Sequence, residues 1–304
     1  MTPEKKAAGK SLALAAGSVL NDRYVAVKCI GSGGFGITYL AYDTADEKKV
    51  AVKEYFPAGI AIRSPDGVTA EPISYRCKED YFKGAVRFQN ESELLLSLGG
   101  KTDVINMYDS FLQNGTVYYA MEYVNGITIR DYTGKYGKMT EGQALYTAVK
   151  IASDFVHIHS SGIIHRDLSP NNIMIGNDGR IRLVDFGNAR PFSYDETNSM
   201  TVVLKPGYAP LEQYHHHGKH GPWTDIYSLG AVLYYSLTLK DPEDPMARYN
   251  DDSEFCKGLS CIEPRFADII KKMTSLQICD RYKSGDELLK SLNDLKISEQ
   301  GFSF

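Results

Sequence analysis

The 304-residue chain has no apolar run long enough to cross a membrane as a helix. It also has no basic excess: 34 Lys and Arg against 38 Asp and Glu leave a net charge of −4. A protein that lives on nucleic acid carries a basic surplus or stripe, so no nucleic-acid partner is expected, and any anionic ligand must be held locally. The five cysteines (Cys29, Cys77, Cys256, Cys261 and Cys279) are scattered and odd in number, without zinc-site spacing. They read as reduced thiols in a reducing, cytoplasmic compartment. Internal repeats and low-complexity tracts are missing. With 43% hydrophobic and 24% charged residues, extensive disorder is excluded and a core can form. Lys5, Lys6 and Lys10 ahead of Leu12–Leu20 loosely imitate a signal peptide. That apolar stretch is short and diluted by Ala, Gly and Ser, so residues 1–20 are expected as an N-terminal tail.

What is present falls into two halves. Tyr24–Ile30, Ile37–Asp43 and Val50–Tyr55 are short β-branched or aromatic runs between Gly-rich or charged turns, and predict strands. Gly59–Ile73 reads as an inserted loop. Phe88, Leu95 and Leu98 recur at helical spacing within Asp80–Leu98, and Gly99-Gly100 ends that helix. Strands over Val104–Leu112 and Thr116–Tyr123 meet at Asn114-Gly115, a hairpin turn. The second half is helical. Leu145, Val149, Ala152, Phe155, Val156 and His159 trace one helix face that ends near Gly162. Asp225–Leu237 is nearly apolar all round and predicts a buried helix, followed by amphipathic helices at Phe266–Met273 and Gly285–Leu295. A strand-rich half before a helix-rich half predicts an α+β protein of two lobes.

Four motifs carry chemistry. Gly31-Ser32-Gly33-Gly34-Phe35-Gly36 sits between two strands, where glycines let backbone N–H groups approach a phosphate. A dinucleotide-binding turn would open a helix. Ile37-Thr38-Tyr39-Leu40 is strand-like, which leaves a phosphate-covering hairpin or a plain one. Val50-Ala51-Val52-Lys53 ends an apolar strand on one ammonium, which Glu91 or Glu93 could position. His165-Arg166-Asp167-Leu168-Ser169-Pro170-Asn171-Asn172 lies in a loop after a helix. Asp185-Phe186-Gly187 follows the strand Ile181–Val184. Each alone is weak; the ordered set, each on the element its role needs, is specific.

In that order the motifs resemble those of the eukaryotic-like protein kinases over Asn21–Leu295. Lys53-Glu54-Tyr55-Phe56-Pro57 and Lys205-Pro206-Gly207-Tyr208-Ala209-Pro210 look like a bacterial, clostridial-type serine/threonine subset. The resemblance implies a two-lobed kinase fold over 21–297, with short tails at 1–20 and 298–304. Its N-lobe (21–123) would be a small antiparallel β-sheet with one key helix; its C-lobe (124–297) would be larger and mainly helical. It implies ATP and Mg2+ as cofactors and protein substrates. Gly31, Gly33, Gly34, Phe35 and Gly36 would cover the phosphates, and Lys53, oriented by Glu91 in the family's register, would hold two of them. Thr38, Ala51, Met121 and Met174 would line the adenine slot, with Glu122, Tyr123 and Val124 as the hinge. Asp167 would orient the substrate hydroxyl, and Asn172 and Asp185 would hold magnesium. Glu212 paired with Arg281, and Asp225 under the catalytic loop, would be structural.

The chain departs from the family's pattern in one matched pair. Ser169 stands where the family carries a lysine two residues after the catalytic aspartate. Lys205, counted back from Glu212, stands where serine/threonine kinases carry threonine. The expectation is an exchange, with Lys205 supplying the missing charge. Leu211 replaces the usual proline and Thr38 the usual valine. Arg166 suggests an autophosphorylated segment, with Thr201 first and Ser199 and Thr197 as further candidates, and self-association to achieve it. His215-His216-His217 with His220 reads as a solvated loop rather than a metal site. Two alternatives stay open: a pseudokinase that holds nucleotide as a scaffold, for which Ser169 speaks, and a small-molecule phosphotransferase of the same fold.

Overall fold

The computed structural model describes residues 12–97, 105–186, 190–191, 204–215 and 218–295. They divide into two compact units. One runs up to Ser97 and resumes over Asn106–Tyr123; the other holds Ile105 and the chain from Val124 onward. No helix among the described residues is long and apolar enough to cross a membrane.

The first unit is built on an antiparallel sheet. In chain order its strands are β1 (Val19–Leu20), β2 (Tyr24–Ser32), β3 (Gly36–Asp43), β4 (Lys48–Tyr55), β5 (Ala61–Arg63) and β6 (Ala70–Pro72). Helix α1 (Lys78–Ser97) follows, then β7 (Met107–Gln113) and β8 (Thr116–Glu122). The main sheet runs β1-β2-β3-β4-β8-β7, and β5 and β6 form a separate hairpin. β8 is buried along almost its whole length because it lies between β4 and β7. Asn114 and Gly115 both adopt positive φ, +52° and +74°, the backbone a two-residue hairpin needs. Helix α1 buries Tyr81, Ala85, Phe88, Ser92 and Leu95 at spacings of three and four. Its Phe88 stacks on Tyr119 of β8 at 4.7 Å between ring centroids, which seats the helix on the sheet.

Two expectations are corrected here. Gly59–Ile73 is not a structureless loop, since β5 and β6 pair across it. Its strands are too short to show alternation. The expected tail is attached from Leu12 onward: Leu14 and Leu20 are buried, Val19–Leu20 pairs with β2, and Leu14 N–H donates to Tyr39 Oη at 3.1 Å. These two leucines bury themselves singly, so no run announces them.

The second unit begins with β9 (Gly126–Thr128), α2 (Ile129–Tyr136) and α3 (Glu141–Ser160). Short strands β10 (Ile163–Ile164), β11 (Ile173–Gly176), β12 (Ile181–Leu183) and β13 (Arg190–Pro191) follow. Helices α4 (Pro222–Thr238), α5 (Pro245–Asn250), α6 (Ser253–Gly258), α7 (Pro264–Met273) and α8 (Gly285–Asn293) complete it. Thr140 and Gln143 cap α3 reciprocally at 3.1 Å each. α4 is buried at every residue from Thr224 to Leu237. α3 packs on both α4 and α8, so its buried arc is wider than the face traced in the sequence. Ile151 and Ile158 are inside, whereas Val149 and Val156 are half-exposed. β11 pairs with β9 and β12, and β10 with β13, which leaves His165–Asn172 as a loop strung between β10 and β11.

Candidate active site

In the first unit the glycine run closes the turn between β2 and β3, with Gly33 N–H donating to Gly36 O at 2.9 Å. Gly36 is demanded by packing: a Cβ there would lie 2.3 Å from the Glu54 carbonyl oxygen on β4. Gly33 and Gly34 have no such neighbour, for an added Cβ would meet nothing within 4 Å. The turn is therefore uncrowded on that side, although Gly33 N–H and the Gly34 carbonyl are already hydrogen-bonded. Phe56 and Ala58 donate to the carbonyls of Phe35 and Gly34 at 3.2 and 3.0 Å, so the stretch after Lys53 ties down the turn. Phe35 is exposed.

The sheet register puts Gly31 beside Thr38, Thr38 beside Lys53, and Ala51 beside Met121. With the two-residue alternation of strands, Thr38, Ala51, Lys53 and Met121 share one face. Lys53 is buried, its Nζ 5.8 Å from the Tyr119 ring centroid and 5.9 Å from that of Phe88. Glu91 lies on α1 one turn beyond Phe88; its side chain falls outside the described residues. Glu93 is exposed and accepts from Gln89 Nε2 at 3.2 Å. Glu122 is fixed through Asn106, its N–H on the Asn106 carbonyl and its carboxylate on Nδ2, both at 2.8 Å. Tyr123 ends this unit.

Sequence reasoning missed the residue next to Lys53. Glu54 is fully buried, and Arg63 of β5 grips it through two hydrogen bonds of 2.7 Å. Tyr39 Oη and Tyr118 Oη donate to the same carboxylate at 2.6 and 2.8 Å. Arg63 also donates to the carbonyls of Leu12 and Val68. The only trace of this in the sequence was a charged residue inside an apolar strand.

In the second unit Asp225 organises the His165–Asn172 loop. It is fully buried at the start of α4. Its Oδ2 accepts His165 N–H and its Oδ1 accepts Arg166 N–H, both at 2.8 Å, while His159 Nε2 lies 2.9 Å from Oδ2. Burial pushes the Asp225 carboxyl up, but His159 and the loop amide outweigh it and hold the group below its ordinary value. These bonds hold Arg166 at φ +65°, a left-handed conformation that a non-glycine side chain resists. His165 is buried against Phe186, and burial keeps its imidazole below its ordinary pKa. Its Nδ1 accepts Asp167 N–H at 3.3 Å.

Asn172 Nδ2 donates to the Asp167 carbonyl at 2.6 Å and faces Asp167 Oδ2 at 3.4 Å. That commitment of the amide NH2 leaves the Asn172 side-chain oxygen, Oδ1, as the group for a cation. Val184 N–H donates to Asn172 O at 2.9 Å, which brings Asp185, at φ +62°, alongside. One carboxylate and one amide oxygen suit magnesium, which is held by few protein ligands and completes its shell with phosphates and water. Among the described residues no group of three or more His, Cys, Asp or Glu could hold a metal by itself. Met174 lies on β11 opposite Thr128 and Arg182, and Val124 is buried at the start of this unit.

The exchanged pair meets. Lys205 Nζ lies 2.8 Å from Asp167 Oδ1 and 3.1 Å from Ser169 Oγ, and Ser169 is buried. Glu212 and Arg281 form a buried ion pair. Thr197, Ser199 and Thr201 lie outside the described residues, as do His216 and His217.

The protein kinase domain family model matches residues 24–295. The chain is 27% identical over 292 residues to serine/threonine-protein kinase F of Synechocystis sp., covering 90% of this chain and 56% of that protein. It is 27% identical over 296 residues to a probable serine/threonine-protein kinase of Clostridium perfringens, covering 92% of this chain and 39% of that one. The solved structure "PpkA-294 apo form" matches with a TM-score of 0.81 at 29% identity, over 93% of this chain and 100% of that chain. The chain spans about half the length of curated relatives that it matches. With an antiparallel-sheet unit, a helical unit and this loop architecture, the chain belongs to the protein kinase domain family.

Proposed function

We propose that the chain is a cytoplasmic serine/threonine protein kinase that transfers the γ-phosphate of ATP to hydroxyls of protein substrates, including its own segment at Thr201, Ser199 or Thr197. The observation that carries this reading is the gathering of Asp167, Asn172, Asp185 and Lys205 around one loop pinned by Asp225. The bond from the γ-phosphorus to the leaving ADP oxygen breaks as the bond to the substrate oxygen forms. The hydroxyl proton passes to the Asp167 carboxylate. Such a transfer gathers negative charge, and catalysis is mostly positioning and neutralisation. Asn172 and Asp185 would hold magnesium, which supplies part of that neutralisation when bound. In the first unit, the uncrowded turn at Gly33 and Gly34 would cover phosphates, Lys53 with Glu91 would offer a cation, and Thr38, Ala51 and Met121 would share one face against the nucleotide. The resemblance implies further nucleotide contacts for Glu122 and Tyr123 of the first unit and for Val124 and Met174 of the second. The five cysteines are unpaired, which fits a reducing compartment.

The test is transfer of labelled phosphate from ATP with magnesium to dephosphorylated casein and to the chain itself. Labelling by the wild type that disappears in Asp167→Asn and Asp185→Ala is expected. A wild type that binds ATP and labels nothing would support the scaffold reading instead. Ser169 favours that reading; the Lys205 ammonium beside Asp167 counts against it.

A further inference from the structure

We infer that Lys205 supplies the catalytic cation at Asp167 from the turn Lys205–Tyr208, so that turnover requires this turn to be docked on α4. The inference rests on the kinase reading above and adds to it where the charge comes from and what controls it.

Chemistry demands a cation here. Asp167 carries a negative charge, and the transferring phosphoryl group adds more. Ser169, buried and neutral, cannot answer that demand; its hydroxyl accepts from Lys205 Nζ at 3.1 Å. The ammonium that does reach Asp167, at 2.8 Å, belongs to another element of the chain. Its side chain is about one-third exposed, and that of Asp167 less so, which leaves the ion pair open on one side to a reactant.

The position of Lys205 is set by the turn that follows it. The Lys205 carbonyl accepts from Tyr208 N–H at 3.1 Å and Ala209 N–H at 3.0 Å. Gly207 holds φ +81°, and a Cβ there would lie 2.2 Å from the Pro242 carbonyl oxygen, so the turn sits hard against the chain beyond α4. The Tyr208 carbonyl accepts from Ser228 Oγ of α4 at 2.8 Å, and Tyr208 Oη donates to Asp241 at 2.5 Å. Asp241 in turn takes Arg130 of α2 at 2.6 Å. None of these anchors belongs to the loop that carries Asp167. A cation on that loop would stay with Asp167 wherever the turn lay; a cation on Lys205 depends on the anchoring of the turn.

The experiment compares kcat and ATP KM for the wild type, Lys205→Met, and Ser169→Lys/Lys205→Thr, each with and without Ser228→Ala. ATP-analogue binding and thermal unfolding report folding separately. Lys205→Met should lose about 10²- to 10³-fold in kcat, with ATP KM within about threefold of wild type. Ser169→Lys/Lys205→Thr should recover at least about tenfold over Lys205→Met, because the charge returns from the loop side. Ser228→Ala should lower kcat in the wild type and leave the exchanged variant nearly unchanged. Wild-type kcat in a folded Lys205→Met overturns the inference. An exchanged variant no better than Lys205→Met, or an equal effect of Ser228→Ala in both backgrounds, overturns it too. An inactive wild type fails the kinase reading itself; an active wild type beside an equally active Lys205→Met fails only the inference.

Discussion

Glu212 and Arg281 close on each other from positions 69 residues apart, Nη1 to Oε1 at 2.7 Å and Nη2 to Oε2 at 3.1 Å, with both side chains buried. Thr224 Oγ1 adds a third bond to the carboxylate, and Arg281 also donates to the carbonyls of Ser275 and Leu276. Arg281→Met strands a carboxylate away from water. It should cost about 3–5 kcal/mol in urea unfolding and lower Tm by roughly 10 °C. Glu212→Met/Arg281→Met should be less destabilised than Arg281→Met alone, since neither charge is then left unpaired. A loss below about 1 kcal/mol in Arg281→Met contradicts the burial argument.

Asp225→Asn keeps the side-chain volume but replaces one acceptor oxygen by a donor. One of the two amides, His165 or Arg166, then loses its partner. Arg166 should relax from its left-handed conformation and shift Asp167 by a fraction of an ångström or more. The expected result is a kcat lower by about 10- to 100-fold with ATP KM little changed. Initial rates at varied ATP decide it, and an unchanged kcat removes Asp225 from the catalytic architecture.

Stability should fall as the solution becomes acidic, beginning near pH 6.5. The unfolded chain protonates His165 near its ordinary value of 6.5, while burial lowers the folded value. Below that point the unfolded state binds more protons, so its contribution is complete above 6.5 and declines as pH drops, by at most about 1.4 kcal/mol per unit. Asp225, also held below its ordinary value, extends the same slope further into acid. Urea midpoints at pH 7.5, 6.5 and 5.5 test the sign. His165→Asn should flatten the first part of the slope, and a steeper slope in that variant counts against the assignment.

Gly36→Ala and Gly34→Ala should behave differently although they lie two residues apart. The first drives a methyl into the β4 backbone and should cost about 1–3 kcal/mol. The second has room, so Tm should hold while ATP KM rises through loss of the open backbone. Thermal unfolding beside ATP titration separates the two. Equal destabilisation by both would mean that the turn serves packing alone.

Much of this could be read from local signals. β2, β3, β4 and the Asn114-Gly115 turn announced themselves by β-branched runs and turn chemistry, and α4 by apolarity on every side. The meeting of Ser169 and Lys205 was legible only through the resemblance to protein kinases, whose pattern brings the position counted back from Glu212 against the one two residues after Asp167. What escaped the sequence depends on partners far along the chain. His159 looked like one more member of an apolar face, yet its partner Asp225 lies 66 residues away. Glu54 is answered by Arg63 from a hairpin whose three-residue strands show no period. α3 faces two helices at once, and a single traced stripe underestimates such an arc.

The hairpin between β4 and α1 has an evolutionary consequence. Arg63 neutralises Glu54, and Ala70 N–H donates to Asn114 O at 2.8 Å at its other end. Deleting the hairpin would leave the buried Glu54, next to Lys53 in the strand, without its guanidinium partner. Descendants should therefore gain or lose the two together, and a relative without the hairpin should carry an uncharged side chain at position 54.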